Sequence, residues 1–152
     1  MSEWVLEPPR RAGEIALGMP FDVAWRLLRG AEGFVSPPPG ETRSRGFAHY
    51  ENGLTVTIGT DSQDRVEYVE IYRPAHGVTV VFDGISIFGE RADDVIEQLA
   101  ARTRILIEED GFRFVAPDLL LSLWRDMVPD GPQDEDGQYF DSVLMARPGY
   151  YG

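Results

Sequence analysis

The chain has 152 residues, no cysteine and a formal net charge of −12, from 26 acidic side chains against 14 basic ones, and every base is arginine. Without cysteine there is no disulfide, no thiol nucleophile and no zinc-thiolate site. A chain this acidic repels phosphate, so nucleic acid and anionic membrane surfaces are poor partners, whereas a basic protein is steered toward it. The first 76 residues hold 11 acids and 8 arginines and the rest 15 and 6, net −3 against −9, so the acidity is concentrated in the second half.

No segment approaches the run of about 18 apolar residues that a membrane span needs. The amino-terminal residues carry acids where a signal peptide carries bases, and the simplest location is the cytoplasm. A chain of this length buries roughly 70% of the surface its unfolded form exposes, enough for one core without covalent staples.

In chain order, Glu3 to Glu7 reads as a short edge strand broken by Pro8-Pro9, and Ile15 to Leu17 as a second short strand. Pro20 opens a helix that runs to about Arg29 and stops at Gly30, with Phe21, Ala24, Trp25 and Leu28 on one stripe at i, i+3, i+4 and i+7. Gly33 to Gly40, with three consecutive prolines, is a stiff connection that is neither helix nor central strand. A strand from Gly46 to Glu51, the turn pair Asn52-Gly53, the alternation of Leu54, Val56 and Ile58, and a return strand from Val66 to Tyr72 make a three-stranded antiparallel meander. Val78 to Phe82 and Ile85 to Phe88 flank the hairpin signal Asp83-Gly84, and a second helix follows over about residues 91 to 101, with Ala92, Val95, Ile96 and Leu99 on its apolar stripe. Arg104 to Glu108 and Phe112 to Val115 flank a turn at Glu109-Asp110-Gly111. Leu119 to Trp124 is almost wholly apolar, as in a strand covered on both faces, and Phe140 to Ala146 pairs back across a long acidic loop.

The second helix echoes the first after about 72 residues, and the echo continues. Asn52 to Ile58 aligns with Pro117 to Leu123 at an offset of 65, and Val69 to Pro74 with Val143 to Pro148 at an offset of 74. The pattern predicts an internal duplication, with repeats over residues 1–76 and 77–152 that form one compact domain or two halves sharing a sheet. Two helices cannot cover both sides of so many strands. The predicted class is therefore α+β: a long antiparallel sheet with both helices packed on one face and the other face concave and partly open.

Reactive chemistry is sparse. His49 and His76 are the only histidines, the first in a predicted strand and the second in a loop between the repeats, and no serine-elbow, phosphate-loop, zinc-protease or dinucleotide motif is present. No cofactor and no metal site is expected; the acidic run from Asp130 to Gly137 fails the spacing of a calcium loop. Trp25, Phe82, Phe88 and Phe114 read as core. Tyr68, Glu70 and Tyr72 share one face of a strand whose other face carries Val69 and Ile71. If the helices cover Val69 and Ile71, the three face outward, and tyrosine and tryptophan flanked by acids suit protein recognition. Trp124, Tyr139, Tyr150 and Tyr151 either extend that surface or pack beneath the acidic loop.

Leu17-Gly18-Met19, a short amphipathic helix and an antiparallel meander, occurring twice, resembles the tandem helix-plus-sheet fold of secreted β-lactamase inhibitor proteins. The single unit is similar to small outer-membrane-assembly lipoproteins, and the small acidic character to bacterial immunity proteins. The inhibitors have disulfides and export signals and the lipoproteins a lipidated cysteine, so no functional residue transfers. The resemblance implies a sheet face that binds proteins. The expected function is a non-enzymatic protein-binding module, an immunity or inhibitor protein, that engages a basic partner through Tyr68, Glu70, Tyr72, Trp124, Asp134, Glu135 and Asp136. The alternatives are a small-molecule-binding or enzymatic domain with a helix-sheet pocket near His49, and a homodimer that buries its own open sheet.

Overall fold

The computed structural model describes residues 3–131, 133–135 and 137–150. Its strands are β1 (Glu3–Glu7), β2 (Arg11–Ala12), β3 (Ile15–Ala16), β4 (Phe47–His49), β5 (Thr55–Thr60), β6 (Val66–Tyr72), β7 (Thr79–Phe82), β8 (Ile85–Ser86), β9 (Leu106–Glu108), β10 (Arg113–Ala116), β11 (Leu121–Trp124) and β12 (Ser142–Ala146). Its helices are α1 (Phe21–Gly30) and α2 (Ala92–Ala100). The class is α+β, as expected, but the strands form two sheets instead of one.

The larger sheet is antiparallel throughout, with seven strands in the order β4-β5-β6-β12-β11-β10-β9. The meander β4-β5-β6 supplies one end, and β6 and β12 join the strands of the two halves of the chain. The smaller sheet has the order β3-β2-β1-β7-β8, and its central pair, β1 with β7, is parallel. This corrects the reading of β1 as an edge strand: Trp4 pairs with Val80, so β1 lies inside the small sheet. Nothing local in Glu-Trp-Val-Leu-Glu specifies a parallel partner some 76 residues away.

The short hairpins β2-β3 and β7-β8 lead into α1 and α2. The turn between β7 and β8 carries Asp83 and Gly84 at φ of 48° and 80°, the left-handed pair that a two-residue hairpin turn requires. Both helices begin without a side-chain cap; Asp22 in one, Asp93 and Asp94 in the other, stand in the first turn near the positive end of the dipole.

Register sorts the large sheet into two faces, because successive side chains point to opposite sides. One cross-strand row runs Ala48, Val56, Ile71, Val143, Leu123, Phe114, and a second Ile58, Val69, Met145, Leu121, Ala116. All of these are buried, in one cluster with Phe21, Ala24 and Leu28 of α1, Ala92, Val95 and Leu99 of α2, and Leu6, Ala12, Ile15, Val80 and Ile85 of the small sheet. Both helices thus cover the same face. Phe88 and Phe114 are core residues as expected, while Trp25 and Phe82 sit partly buried at its margin. Among the described residues no helix is long and apolar enough to cross a membrane.

Candidate functional site

The opposite face of the large sheet is left uncovered by the helices. Its principal row runs His49, Thr55, Tyr72, Ser142, Trp124, Arg113, Glu108, and the next Phe47, Thr57, Glu70, Leu144, Ser122, Val115, Leu106. Tyr68, Glu70, Tyr72 and Trp124 therefore share one surface, as period-two alternation in β6 requires once Val69 and Ile71 are buried. Tyr72 is 39% exposed. Tyr68 is more enclosed: it lies over Gly59, where an added Cβ would meet its ring at 2.0 Å, and its ring contacts that of Tyr150 at 5.5 Å.

At the middle of this face Glu70, Tyr72, Ser142, Trp124, Asp126 and Asp141 enclose a depression of about 270 Å³. Its shape comes from one cross-strand row in which a small residue stands between two large ones: Ser142 pairs with Tyr72 on one side and with Trp124 on the other. Each aromatic wall is fixed by a hydrogen bond to a carboxylate. The Tyr72 hydroxyl donates to Glu70 Oε1 at 3.0 Å, and the Trp124 indole Nε1–H donates to Asp126 Oδ1 at 2.8 Å. The Phe112 ring lies against Trp124, tilted by 30° with ring centroids 5.9 Å apart. Partial burial, then the Glu70 charge and its hydrogen bond, push the Tyr72 hydroxyl up to about 12, so it stays a donor at any physiological pH. Burial, followed by the neighbouring Tyr150, Glu70 and Glu67, raises Tyr68 as well.

The three carboxylates are not equivalent. Asp141 is fully engaged: its Oδ1 lies 3.1 Å from Arg73 Nη2 and its Oδ2 accepts the Asp126 backbone N–H at 2.7 Å. Glu70 and Asp126 have only the aromatic donors just described and face no cation among the described residues. No group of three carboxylates or histidines among the described residues comes close enough together to hold a metal ion.

Other expected residues lie elsewhere. Asp134 and Glu135 belong to the acidic loop, which docks against the start of α2: Gln138 Nε2 donates to the Asp134 carbonyl, and the Gln138 carbonyl accepts the Ala92 N–H at 2.7 Å. The loop is tied down by Arg125, 5% exposed, which donates to the carbonyls of Gly111 at 2.9 Å and Gly137 at 3.2 Å. Burial lowers the pKa of Arg125, partly offset by Asp93. These acids are thus part of the helix-side loop and do not line the open-face depression. Asp136 and Tyr151 lie outside the described residues.

His49 corrects a second expectation. It sits on the open face with Nδ1 2.9 Å from Thr55 Oγ1, while its neighbour Ala48 enters the core, so it does not line a cleft between helix and sheet. His76 is exposed, and with Arg73 and Tyr139 it borders the larger depression, about 670 Å³, near the junction of the halves. Ser142, Asp126 and Asp141 were not anticipated from the sequence; the Trp-x-Asp spacing of Trp124 and Asp126 was the one local signal. Comparison with protein-family models, with curated proteins and with solved structures found no match to the chain.

Proposed function

We propose that the chain is a non-enzymatic protein-binding module, of the immunity or inhibitor kind, that works in the cytoplasm and takes a basic protein on the open face of its large sheet. The observation that carries this reading is the depression at the centre of that face, where Tyr72 and Trp124 are held by hydrogen bonds to two carboxylates, Glu70 and Asp126, that face no cation among the described residues. Rigid aromatic anchors at the centre of a surface, with charges that steer, are the chemistry of a binding hot spot. The net charge of −12 supplies long-range attraction for a basic partner. The acidic loop with Asp134 and Glu135 contributes to that field from its place beside α2.

The same reading includes an origin by internal duplication. The register of β6 with β12 supports it: Val69 pairs with Met145 and Ile71 with Val143, which is the reciprocal pairing expected if residues 74 apart are equivalent and a local twofold relates the two strands.

The test is a pull-down from lysate of the source cells, at low and high salt, with the wild-type chain and with Glu70→Gln/Asp126→Asn as bait. The expected result is a stoichiometric basic protein that is lost as salt rises above the concentration at which the Debye length falls to about 8 Å and lost from the variant at all salts. Retention of the same proteins by the variant, or an empty pull-down with a monomeric wild-type chain at low salt, overturns the reading.

A further inference from the structure

We infer that the depression between Tyr72 and Trp124 is a subsite for a single arginine side chain presented by the partner. The inference rests on the proposed role of the open face in binding a basic protein and names what that protein inserts.

Donors and acceptors are unevenly distributed in the depression. Within the depression the two donors are already used inside the chain, the Tyr72 hydroxyl on Glu70 Oε1 and the Trp124 indole on Asp126 Oδ1. Both oxygens of Asp141 are taken, by Arg73 and by the Asp126 N–H. What remains is one oxygen of Glu70 and one of Asp126, carboxylate atoms that can only accept, and the hydroxyl of Ser142, which can accept as well as donate. A ligand that fits must therefore be rich in donors and positively charged.

Ser142 is the independent observation. It is 3% exposed and forms the floor of the depression, yet its hydroxyl has no hydrogen-bond partner among the described residues. Among the described residues no side-chain oxygen or nitrogen that is closed to solvent lacks a partner, so this hydroxyl is reached through the depression above it. A donor entering the depression can therefore hydrogen-bond this hydroxyl in place of the solvent that reaches it there.

The walls decide between kinds of cation. Neighbouring strands lie about 4.8 Å apart, so Tyr72 and Trp124 rise about 9.6 Å from one another across Ser142. Two aromatic walls at that separation accept a flat group stacked on a ring face, and guanidinium is planar, weakly hydrated and carries five donors in a fixed fork. An ammonium is compact and strongly hydrated, and offers no plane to stack. The chain itself shows the pairing elsewhere, with the Arg45 guanidinium 3.7 Å from the centre of the Phe21 ring. The row's own arginine, Arg113, stands beyond Trp124 and is held by Glu109 at 2.9 Å, with Glu108 at 3.7 Å.

The experiment is a titration of the full-length chain with N-acetyl-arginine methylamide, followed by the Trp124 indole resonance in nitrogen-proton correlation spectra, with the lysine and citrulline analogues as controls. A ligand of this size is expected to bind with a Kd on the order of 1 to 10 mM. The arginine analogue shifts the indole saturably, lysine binds several-fold more weakly, and the uncharged citrulline gives no saturable shift. Ser142→Ala weakens arginine several-fold, and Ser142→Leu, which fills the slot with an apolar side chain, abolishes binding while the remainder of the spectrum stays dispersed. Tyr72→Leu is the second variant if Ser142→Leu fails to fold. Equal binding of arginine and lysine, or no saturable shift at 50-fold excess over the expected Kd range's lower bound, about 50 mM, overturns the subsite. Capture of a basic protein that persists in Ser142→Leu and disappears in Glu70→Gln/Asp126→Asn would reject the arginine slot and leave the protein-binding reading standing; loss of neither rejects both.

Discussion

The two faces of the large sheet are made by the same strands in the same register, yet they solve different problems. On the covered face the row from Ala48 to Phe114 is apolar at every position and nearly closed to solvent. Its side chains must conserve volume, because a packed interior leaves no room to relax. On the open face the matching row places a serine between a tyrosine and a tryptophan, and the gap is kept. Each ring is hydrogen-bonded to a carboxylate on its own strand or just past its end. Burial dictates what stands on the first face; on the second, hydrogen bonds hold open a space that the chain itself does not fill.

That contrast can be broken most severely on the covered side. Leu123→Ala, at a fully buried position, is expected to cost about 2–5 kcal/mol of folding stability, read from urea unfolding. A loss under about 1 kcal/mol would mean that the covered face is not close-packed.

Next in size is the buried cation. Arg125→Met leaves the carbonyls of Gly111 and Gly137 without their donor, and the expected loss is about 2–3 kcal/mol. Amide exchange in the acidic loop should rise with it. If the variant is as stable as the wild type, the clamp is not structural.

Gly59→Ala tests packing on the open side itself. A Cβ there meets the Tyr68 ring, so the variant should lose about 1–2 kcal/mol. Pairing it with Tyr68→Ala should recover part of that loss in a double-mutant cycle; simple additivity would show that the ring does not rest on the glycine.

Smaller again is an alkaline effect that divides between the two faces. Burial raises Tyr50, whose hydroxyl donates to the Leu28 carbonyl at 2.6 Å, to about 12, and Tyr72 is raised to about 12 from the open side. Between pH 10 and 12 the unfolded chain has lost these protons while the folded chain keeps them, so stability is complete below the lower value and falls as pH rises through the window. Tyr50→Phe and Tyr72→Phe should each flatten that decline in denaturation measured across the range. An unchanged slope in both variants would place the alkaline loss elsewhere.

The smallest effect on stability, with the largest on recognition, is expected for Tyr72→Ala. Tyr72 is 39% exposed, and replacing it should change stability by no more than about 0.5–1 kcal/mol while removing most of the partner affinity. A large stability loss instead would assign the ring to packing.

Much of the fold was legible because its signals are local. The helical stripes, the stop at Gly30 and the left-handed turn at Asp83-Gly84 depend on neighbours within a few residues, and each element that the sequence predicts formed within about two residues of its expected limits. The small sheet was not legible. Arg11–Ala12 is too short to carry a period, and the parallel pairing of β1 with β7 depends on two segments that only the folded chain brings together. The candidate site divides in the same way. Alternation along β6 put Tyr68, Glu70 and Tyr72 on one face, but charge content alone grouped Asp134 and Glu135 with them, and the loop that carries those acids turns out to be fastened to α2.

By its composition and periodicity the sequence determined an acidic α+β chain with one covered and one uncovered sheet face, because apolar spacing decides which side of a strand or helix leaves water. Only tertiary structure decided that Ser142 lies between Tyr72 and Trp124 and that Glu70 and Asp126 remain uncompensated beside them. Strand register is a property of pairs distant in sequence, set when the buried rows interlock, and the open face inherits whatever neighbours that interlocking brings.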